Sequence, residues 1–177
     1  MSTGGIIDNN KEMLDVINED DKVIGQLTKK EIHNGINILH REIAVLVHDG
    51  NGNLLLQQRS FKKKYFPGKW TVTAVGHVLA GQTPEEAAHM ELKEELGFDT
   101  SLNFVEKRKY ISGDHTSLGY LFIGKFPTGQ MIVPDPDELE KAGFFDLNGI
   151  KNMVSDNSID AHSIETINKF LNGYYKY

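Results

Sequence analysis

The sequence has no cysteine, and this absence removes several kinds of chemistry. A disulfide framework, a thiolate zinc site, an iron–sulfur cluster and a cysteine nucleophile all need at least one thiol. The chain also has no apolar run near the roughly 20 residues that a membrane-spanning helix requires. Its N-terminal segment does not combine a basic stretch with an apolar one, so no secretory signal is predicted. We therefore expect a cytoplasmic protein with no membrane partner.

Positive charge is in the minority. The chain has 19 Lys and Arg residues against 25 Asp and Glu residues, which gives a formal net charge of −6. A binder of phosphate backbones usually has a basic excess, so we expect no nucleic-acid partner. The length of 177 residues fits one domain, since domains commonly contain about 100–200 residues. We predict a flexible N-terminal tail over residues 1–13 and a single domain over residues 14–177.

Short apolar segments separated by turn residues indicate a β-sheet. The predicted strands are two short segments around the Asp-rich turn near residues 19–21, and residues 43–48, 54–58, 70–75, 118–126 and 143–147. The Asp-Gly-Asn-Gly sequence at residues 49–52 is a hairpin signal. A helix capped by Thr28 and a C-terminal helix within residues 159–175 are also predicted. These elements together predict a mixed sheet flanked by helices.

The clearest predicted helix runs from residue 84 to residue 96. Thr83 is a suitable N-cap, Pro84 suits the first helical position, and Glu86 completes a capping box with Thr83. Gly97 stands where a left-handed residue commonly ends a helix. Both ends of this helix are therefore predicted.

Three glutamates, Glu91, Glu94 and Glu95, lie close together on this helix. Offsets of three and four residues place them on one face. Carboxylates so placed repel one another unless a cation offsets their charge, and Mg²⁺ and Mn²⁺ prefer oxygen ligands. The pattern indicates a divalent-metal site, and the alternative is a solvated acidic helix face.

The helix belongs to a longer motif, GHVLAGQTPEEAAHMELKEELGF, at residues 76–98. This motif resembles the Nudix box, the strand–loop–helix–loop signature of enzymes that cleave nucleoside diphosphates linked to another group. The resemblance implies a Nudix α/β/α sandwich with a central mixed β-sheet, and Mg²⁺ or Mn²⁺ bound by Glu91, Glu94 and Glu95. It further implies that Glu94 and Glu95 act in catalysis.

Two positions depart from the family pattern. Gln82 stands where the family has Glu, and Met90 stands where it has the Arg that orients the glutamates. Gln carries no charge, and Met offers no strong donor. We therefore expect weaker metal binding and a slow hydrolase.

The segment before the box is similar to that of the isopentenyl-diphosphate isomerase subgroup, which binds a metal through three histidines. Here His33 and His40 have the family's spacing, and His77 follows Gly76. The resemblance implies a second, transition-metal site, to which His115 could add a fourth nitrogen. The alternative is that these histidines are structural residues.

The isomerase chemistry is incomplete in this sequence. Val75 occupies the position of the cysteine that the isomerase needs for proton transfer to carbon. His115 and Ser117 stand nearest to the positions of its two later glutamates. Because isomerisation of an alkene needs an acid on one face and a base on the other, the sequence argues against this activity.

The remaining predictions concern the substrate. The resemblance implies that Arg59 and Lys63 contact the substrate phosphates, and that Glu138, in a late acidic loop, is a candidate general base. The predicted function is hydrolysis of a small nucleoside-diphosphate derivative. The alternatives are an isomerase-like enzyme and a non-catalytic nucleotide- or metabolite-binding module. Relatives of this family are often dimers, so the resemblance allows a homodimer, but nothing in the sequence specifies an interface.

Overall fold

The computed structural model describes residues 11–173, so the predicted tail lies largely outside the described residues. The elements, in chain order, are β1 (Met13–Ile17), β2 (Val23–Thr28), α1 (Lys29–Asn34), β3 (His40–His48), β4 (Leu54–Arg59), β5 (Trp70–Thr71), β6 (Ala74–His77), α2 (Pro84–Leu96), β7 (Leu102–Ser112), β8 (His115–Lys125), β9 (Leu139–Phe145), α3 (Leu147–Ser155) and α4 (Ala161–Leu171). None of the described helices has the length and hydrophobicity that a membrane span requires.

Strand β3 organises the sheet. It pairs in parallel with β8 along its whole length and antiparallel with β6 on its other side. Strand β4 instead pairs antiparallel with β5 and β9. The sheet is therefore mixed, as predicted.

The sheet divides close to the hairpin of β3 and β4. Strands β3 and β4 are paired only at Val47 with Leu55 and at His48 with Leu54, and beyond these positions they take different partners. Thr73 lies where the chain crosses from β5 to β6, and its buried hydroxyl donates to the Leu55 carbonyl at 2.6 Å and accepts from the Val47 amide at 2.8 Å. The division opens a cleft between two groups of strands.

Two hydrophobic clusters cover the two faces of the sheet. Helix α2 contributes Ala87, Ala88, Leu92 and Leu96 to the first cluster. Helices α3 and α4 contribute Ile150, Met153, Ile167 and Phe170 to the second. A mixed sheet between helices on both faces confirms the predicted α/β/α sandwich.

Several local predictions need correction. The strand predicted at residues 70–75 is two strands, because the crossing at Thr73 interrupts it. The strand predicted at residues 143–147 begins earlier, and Leu147 instead starts α3, whose N-cap is Asp146. Strand β7 was not predicted. The C-terminal helix predicted within residues 159–175 is present as α4, and residues 174–175 lie outside the described range.

Candidate functional site

A cavity of about 820 Å³ occupies the cleft between the two groups of strands. Its walls bring together the acidic helix, the histidines of four different elements and the basic loop after β4. The predicted site residues that line it are Arg59, Lys63, His33, His77, Glu91, Glu94, Glu95 and Glu138. His40 is fully buried directly behind this lining. The cavity therefore has an acidic end at α2 and a nitrogen-rich end at the histidines.

The acidic end is carried by α2, whose predicted caps are all present. Thr83 and Glu86 form the capping box, and Gly97 has a φ of 72° in the left-handed region. The helix is fixed against strand β6 by a close approach at Gly76. A Cβ at this position would overlap the Glu91 carboxylate, so only glycine allows that carboxylate to lie against the strand.

The carboxylates at this end are not neutralised by the fold. Burial and the charges of Glu94 and Glu138 raise the pKa of Glu91 to about 8. Glu95 is 4% exposed, and burial together with Glu91 and Glu138 raises its pKa well above the ordinary value. Its Oε2 accepts a hydrogen bond of 3.2 Å from the buried amide of Gln57. Burial and the neighbouring carboxylates thus make ionisation of Glu91 and Glu95 costly, and a divalent cation bound to the ionised carboxylates relieves that cost.

Basic side chains reach the acidic end from the loop after β4. Arg59 and Lys63 both line the cavity, and both partly oppose the raised pKa of Glu95. Lys63 forms an ion pair with Glu138. The Arg59 Nε donates to the Tyr65 carbonyl at 3.0 Å, which holds the loop over the cavity. The predicted phosphate contacts and the predicted base thus lie together beside α2.

The two departures from the Nudix pattern touch each other. The Gln82 Nε2 lies 3.5 Å from the Met90 Sδ, and the Gln82 Oε1 accepts from the Leu79 amide at 3.1 Å. A neutral contact therefore stands where the family pattern places a Glu and an Arg. The hydrogen bond between Gln82 and Leu79 keeps the loop before α2 closed. Helix α2 itself has no arginine that could contact the glutamates.

At the other end of the cavity, four histidines surround Glu42. The Nε2 atoms of His40, His77 and His115 lie 3.6, 3.4 and 3.3 Å from the Glu42 Oε1. The Nε2 atoms of His33 and His77 are 3.1 Å apart. The structure thus brings together the three predicted histidines and His115. It adds Glu42, which the sequence interpretation missed.

Burial favours neutral imidazoles at His33 and His77, whereas the hydrogen bond to Glu42 raises the pKa of His115. Burial, with the neighbouring imidazoles, lowers the pKa of His33 to about 4. Burial also lowers the pKa of His77 to about 3. Burial alone would raise the pKa of Glu42, but a hydrogen bond from His115 and the other surrounding imidazoles hold it well below its ordinary value. Neutral imidazole and ionised carboxylate are the forms that bind metal ions.

The hydrogen bonding of His40 supports a metal at this end. Its Nδ1 lies 3.1 Å from the Ile38 carbonyl, which can only accept, so the hydrogen is on Nδ1 and the lone pair is on Nε2. That Nε2 is buried and has no hydrogen-bond partner among residues 11–173. Ligand atoms of His40, Glu42 and His115 all lie within 4.8 Å of one another. The donor set fits a transition metal, with His40 held by a backbone carbonyl as metal-bound histidines usually are.

A signal for Glu42 was present in the sequence. Residues two apart on a strand share a face, so His40 and Glu42 had to point the same way once β3 was extended to His40. Strand β3 was predicted only from residue 43, and the pairing of His40 with Ser117 in β8 could not be read from the sequence. The isomerase subgroup has two glutamates near the positions where β8 carries His115 and Ser117. In this chain Glu42 of β3 supplies a carboxylate instead.

The chain matches a known family and named enzymes. A family model described as the NUDIX domain matches residues 38–166. Isopentenyl-diphosphate Delta-isomerase 2 of Photorhabdus laumondii is 32% identical over 167 residues, which cover 92% of this chain and 92% of that protein. Isopentenyl-diphosphate Delta-isomerase of Halorhodospira halophila is 36% identical over 131 residues, covering 71% of this chain and 73% of that protein.

Solved structures show the same fold. A crystal structure of a protein from Deinococcus radiodurans has a TM-score of 0.71 at 21% identity, covering 84% of this chain and 91% of that one. The NUDIX domain of NrtR from Shewanella oneidensis, solved with ADP ribose, has a TM-score of 0.60 at 15% identity, covering 73% and 84%. At these identities the likeness establishes a shared architecture.

Proposed function

The chain belongs to the NUDIX domain family, and from this premise we propose that it is a divalent-metal-dependent enzyme that hydrolyses the diphosphate linkage of a small nucleoside-diphosphate derivative. The observation that carries the proposal is the acidic end of the cavity. There, Glu91 and Glu95 have raised pKa values because buried carboxylates crowd one another. A cavity that gathers carboxyl groups whose ionisation is costly, with basic side chains beside them, is suited to binding a metal with an anionic substrate.

The proposed metal ligands are Glu91, Glu94 and Glu95. Bound Mg²⁺ or Mn²⁺ would neutralise the diphosphate charge and lower the pKa of a nearby water. Gly76 allows Glu91 to lie against strand β6, and Gln57 orients Glu95 through its amide. These contacts hold the carboxylates in place before the substrate arrives, which avoids reorganisation during the reaction.

The proposed phosphate contacts and the proposed base are neighbours. Arg59 offers a forked set of donors to phosphate oxygens, and Lys63 offers a point charge. When Lys63 turns to a phosphate, its ion pair with Glu138 is lost. Glu138 is then free to accept the proton of the attacking water, which is the role of general base.

The nitrogen-rich end is proposed as a second metal centre. Its ligands would be drawn from His33, His40, His77, His115 and Glu42. Imidazole nitrogens with one carboxylate suit Zn²⁺ and similar transition metals better than Mg²⁺.

The second candidate function is isomerisation of a prenyl diphosphate. The names of the relatives favour it, because the Photorhabdus laumondii protein matches over 92% of this chain. The histidine cluster is also compatible with it. Against it, Val75 and Ser117 line the cavity and offer neither a thiol nor a carboxylate. A third candidate is a binding module without turnover, which the neutral contact between Gln82 and Met90 favours.

One assay panel separates these candidates. The protein, with Mg²⁺ or Mn²⁺, is given nucleoside di- and triphosphates, ADP-ribose and isopentenyl diphosphate, and both phosphate release and the allylic isomer are measured. Metal-dependent release from a nucleotide is the expected result. Formation of the allylic isomer without phosphate release would establish the isomerase instead. Nucleotide-induced thermal stabilisation with no turnover would establish the binding module.

A further inference from the structure

One wall of the cavity is polar and is not explained by a metal or a diphosphate. It is formed by Tyr110 of β7, Ser117 of β8, and Asp160 and His162 at the start of α4. We call these four residues the polar wall. None of them comes from α2 or from the basic loop. The polar wall therefore faces the part of a ligand that lies beyond the diphosphate.

Asp160 leaves one oxygen of its carboxylate unused. As N-cap of α4, its Oδ1 accepts from the amides of His162 and Ser163 at 3.0 and 3.1 Å. Its Oδ2 is buried and has no hydrogen-bond partner among the described residues. The residue is 8% exposed. The capping role accounts for Oδ1 only, so a hydrogen-bond donor is missing at Oδ2.

Ser117, on strand β8, also has a buried polar atom without a hydrogen-bond partner in the described part of the chain. It is 0% exposed, and its Oγ has no partner within residues 11–173. It is paired across the strands with Tyr110, so both side chains lie on the same face of the sheet. The Tyr110 ring in turn lies edge-on to His162, with ring centroids 5.6 Å apart. These contacts make the polar wall continuous from β8 to α4.

Tyr110 is prepared as a hydrogen-bond donor. The Arg108 Nη2 donates to the Tyr110 hydroxyl oxygen at 2.6 Å, which leaves the phenolic hydrogen free to point elsewhere. The polar wall thus offers a carboxylate acceptor at Asp160, a donor at Tyr110 and a hydroxyl at Ser117 that can do either. A ligand group with several hydroxyls can satisfy all three, because each hydroxyl both donates and accepts.

We propose that the polar wall binds a hydroxyl-bearing organic group of the diphosphate substrate, such as a sugar or another polyol. This inference rests on the proposed function, because it assumes that the diphosphate lies at the acidic end. A hydrocarbon group in the same place would leave the Asp160 carboxylate and the Ser117 hydroxyl buried without partners. The wall therefore selects against a purely aliphatic substrate.

Three ligands that share a diphosphate test the proposal by calorimetry. They are inorganic diphosphate, butyl diphosphate and 2,3,4-trihydroxybutyl diphosphate, each titrated with Ca²⁺ as the divalent ion. The wild-type protein is expected to bind the trihydroxybutyl ester about ten- to a hundredfold more tightly than the butyl ester. Equal affinities for the two esters, with inorganic diphosphate bound, would overturn the inference and leave the proposed function standing.

Variants test whether the polar wall causes the preference for the hydroxylated ester. Asp160→Asn retains a helix-capping side chain but replaces charge-assisted hydrogen bonds to the carboxylate by weaker ones to a neutral amide, so the preference for the hydroxylated ester is expected to fall severalfold. Its affinity for inorganic diphosphate is expected to be unchanged. Asp146→Asn is the matched control, because Asp146 also caps a helix but does not line the cavity. Ser117→Ala is a second test that leaves the cap of α4 intact, and it should weaken the same preference.

The outcomes separate the two hypotheses. A preference that survives in both Asp160→Asn and Ser117→Ala would overturn the role of the polar wall. No binding of inorganic diphosphate by the wild-type protein would contradict the proposed function, and the inference would fail with it.

Discussion

Glu42 and Glu95 are glutamates of one cavity whose pKa values shift in opposite directions. The pKa of Glu42 is held well below its ordinary value despite its burial, because a hydrogen bond from His115 and the other surrounding imidazoles stabilise the carboxylate. The pKa of Glu95 is raised, because burial is joined there by the charges of Glu91 and Glu138. Protein neighbours thus stabilise the negative charge of a glutamate at one end of the cavity and destabilise it at the other.

The difference separates two ways of preparing a metal site. The nitrogen-rich end is nearly satisfied by the protein itself, since neutral imidazoles can donate to the carboxylate. The acidic end is satisfied only when a cation arrives, so its ligand-free form carries a cost in folding free energy. Functional sites commonly contain groups that destabilise the fold locally, and the stability of the rest of the protein offsets this cost.

The largest effect is expected for activity at the acidic end. Glu95→Gln keeps the size of the side chain but removes a charge that would bind the metal. The Mg²⁺-dependent rate of hydrolysis should fall by about two to three orders of magnitude, measured as phosphate release. Glu85→Gln is the control, because Glu85 is exposed in the first turn of the same helix. Equal rates for Glu95→Gln and the wild-type protein would remove the acidic end from the mechanism.

A smaller effect is expected for metal binding at the other end. Glu42→Gln removes the one carboxylate of the nitrogen-rich centre, so its affinity for Zn²⁺ should fall by about ten- to a hundredfold. Competition with a chromophoric chelator measures this affinity. The visible absorption of bound Co²⁺ should change in the same variant. An unchanged spectrum would show that Glu42 is not a ligand.

The two variants should change the stability of the metal-free protein in opposite directions. Glu42→Gln removes a charge that the histidines stabilise, so the free energy of unfolding should fall by about 1–3 kcal/mol. Glu95→Gln removes a carboxyl group whose pKa the fold raises, which costs stability at neutral pH, so the free energy of unfolding there should rise by up to about 1 kcal/mol. Urea unfolding in the presence of a chelator gives both values. Shifts of the same sign would contradict the comparison.

The smallest effect concerns the contact between Gln82 and Met90. The double variant Gln82→Glu with Met90→Arg places a charged pair where the family pattern has one. The arginine should offset part of the acidic charge, and the Mg²⁺-dependent rate should rise by about three- to tenfold, equal to about 1 kcal/mol. Met90→Leu, which adds no charge, should leave the rate unchanged. A rate that falls in the double variant would show that the neutral contact is required.

The acidic end was predictable because its signals are local. Thr83, Pro84 and Gly97 defined both ends of α2, and the spacing of Glu91 and Glu95 fixed their common face. No contact with a distant residue was needed. The motif alone therefore located this part of the site, while the raised pKa values required the burial that only the fold supplies.

The nitrogen-rich end was predictable only in part. The spacing of His33, His40 and His77 was visible through a family resemblance, but their convergence depends on three separate elements. Glu42 reaches the cluster because β3 begins at His40 and pairs with β8. The polar wall was also missed, because the sequence interpretation did not identify Asp160 as the N-cap of α4. Pairings between distant strands leave no local trace in a single sequence.

The hydrogen bonds of Thr73 make the opening of the cleft measurable. Its hydroxyl connects the Leu55 carbonyl and the Val47 amide at the place where the two groups of strands separate. The Val47 amide hydrogen can exchange with solvent deuterium only when this connection breaks, because Val47 is 0% exposed. The exchange rate of that single amide therefore records how often the two groups of strands come apart. A ligand that bridges them would slow it.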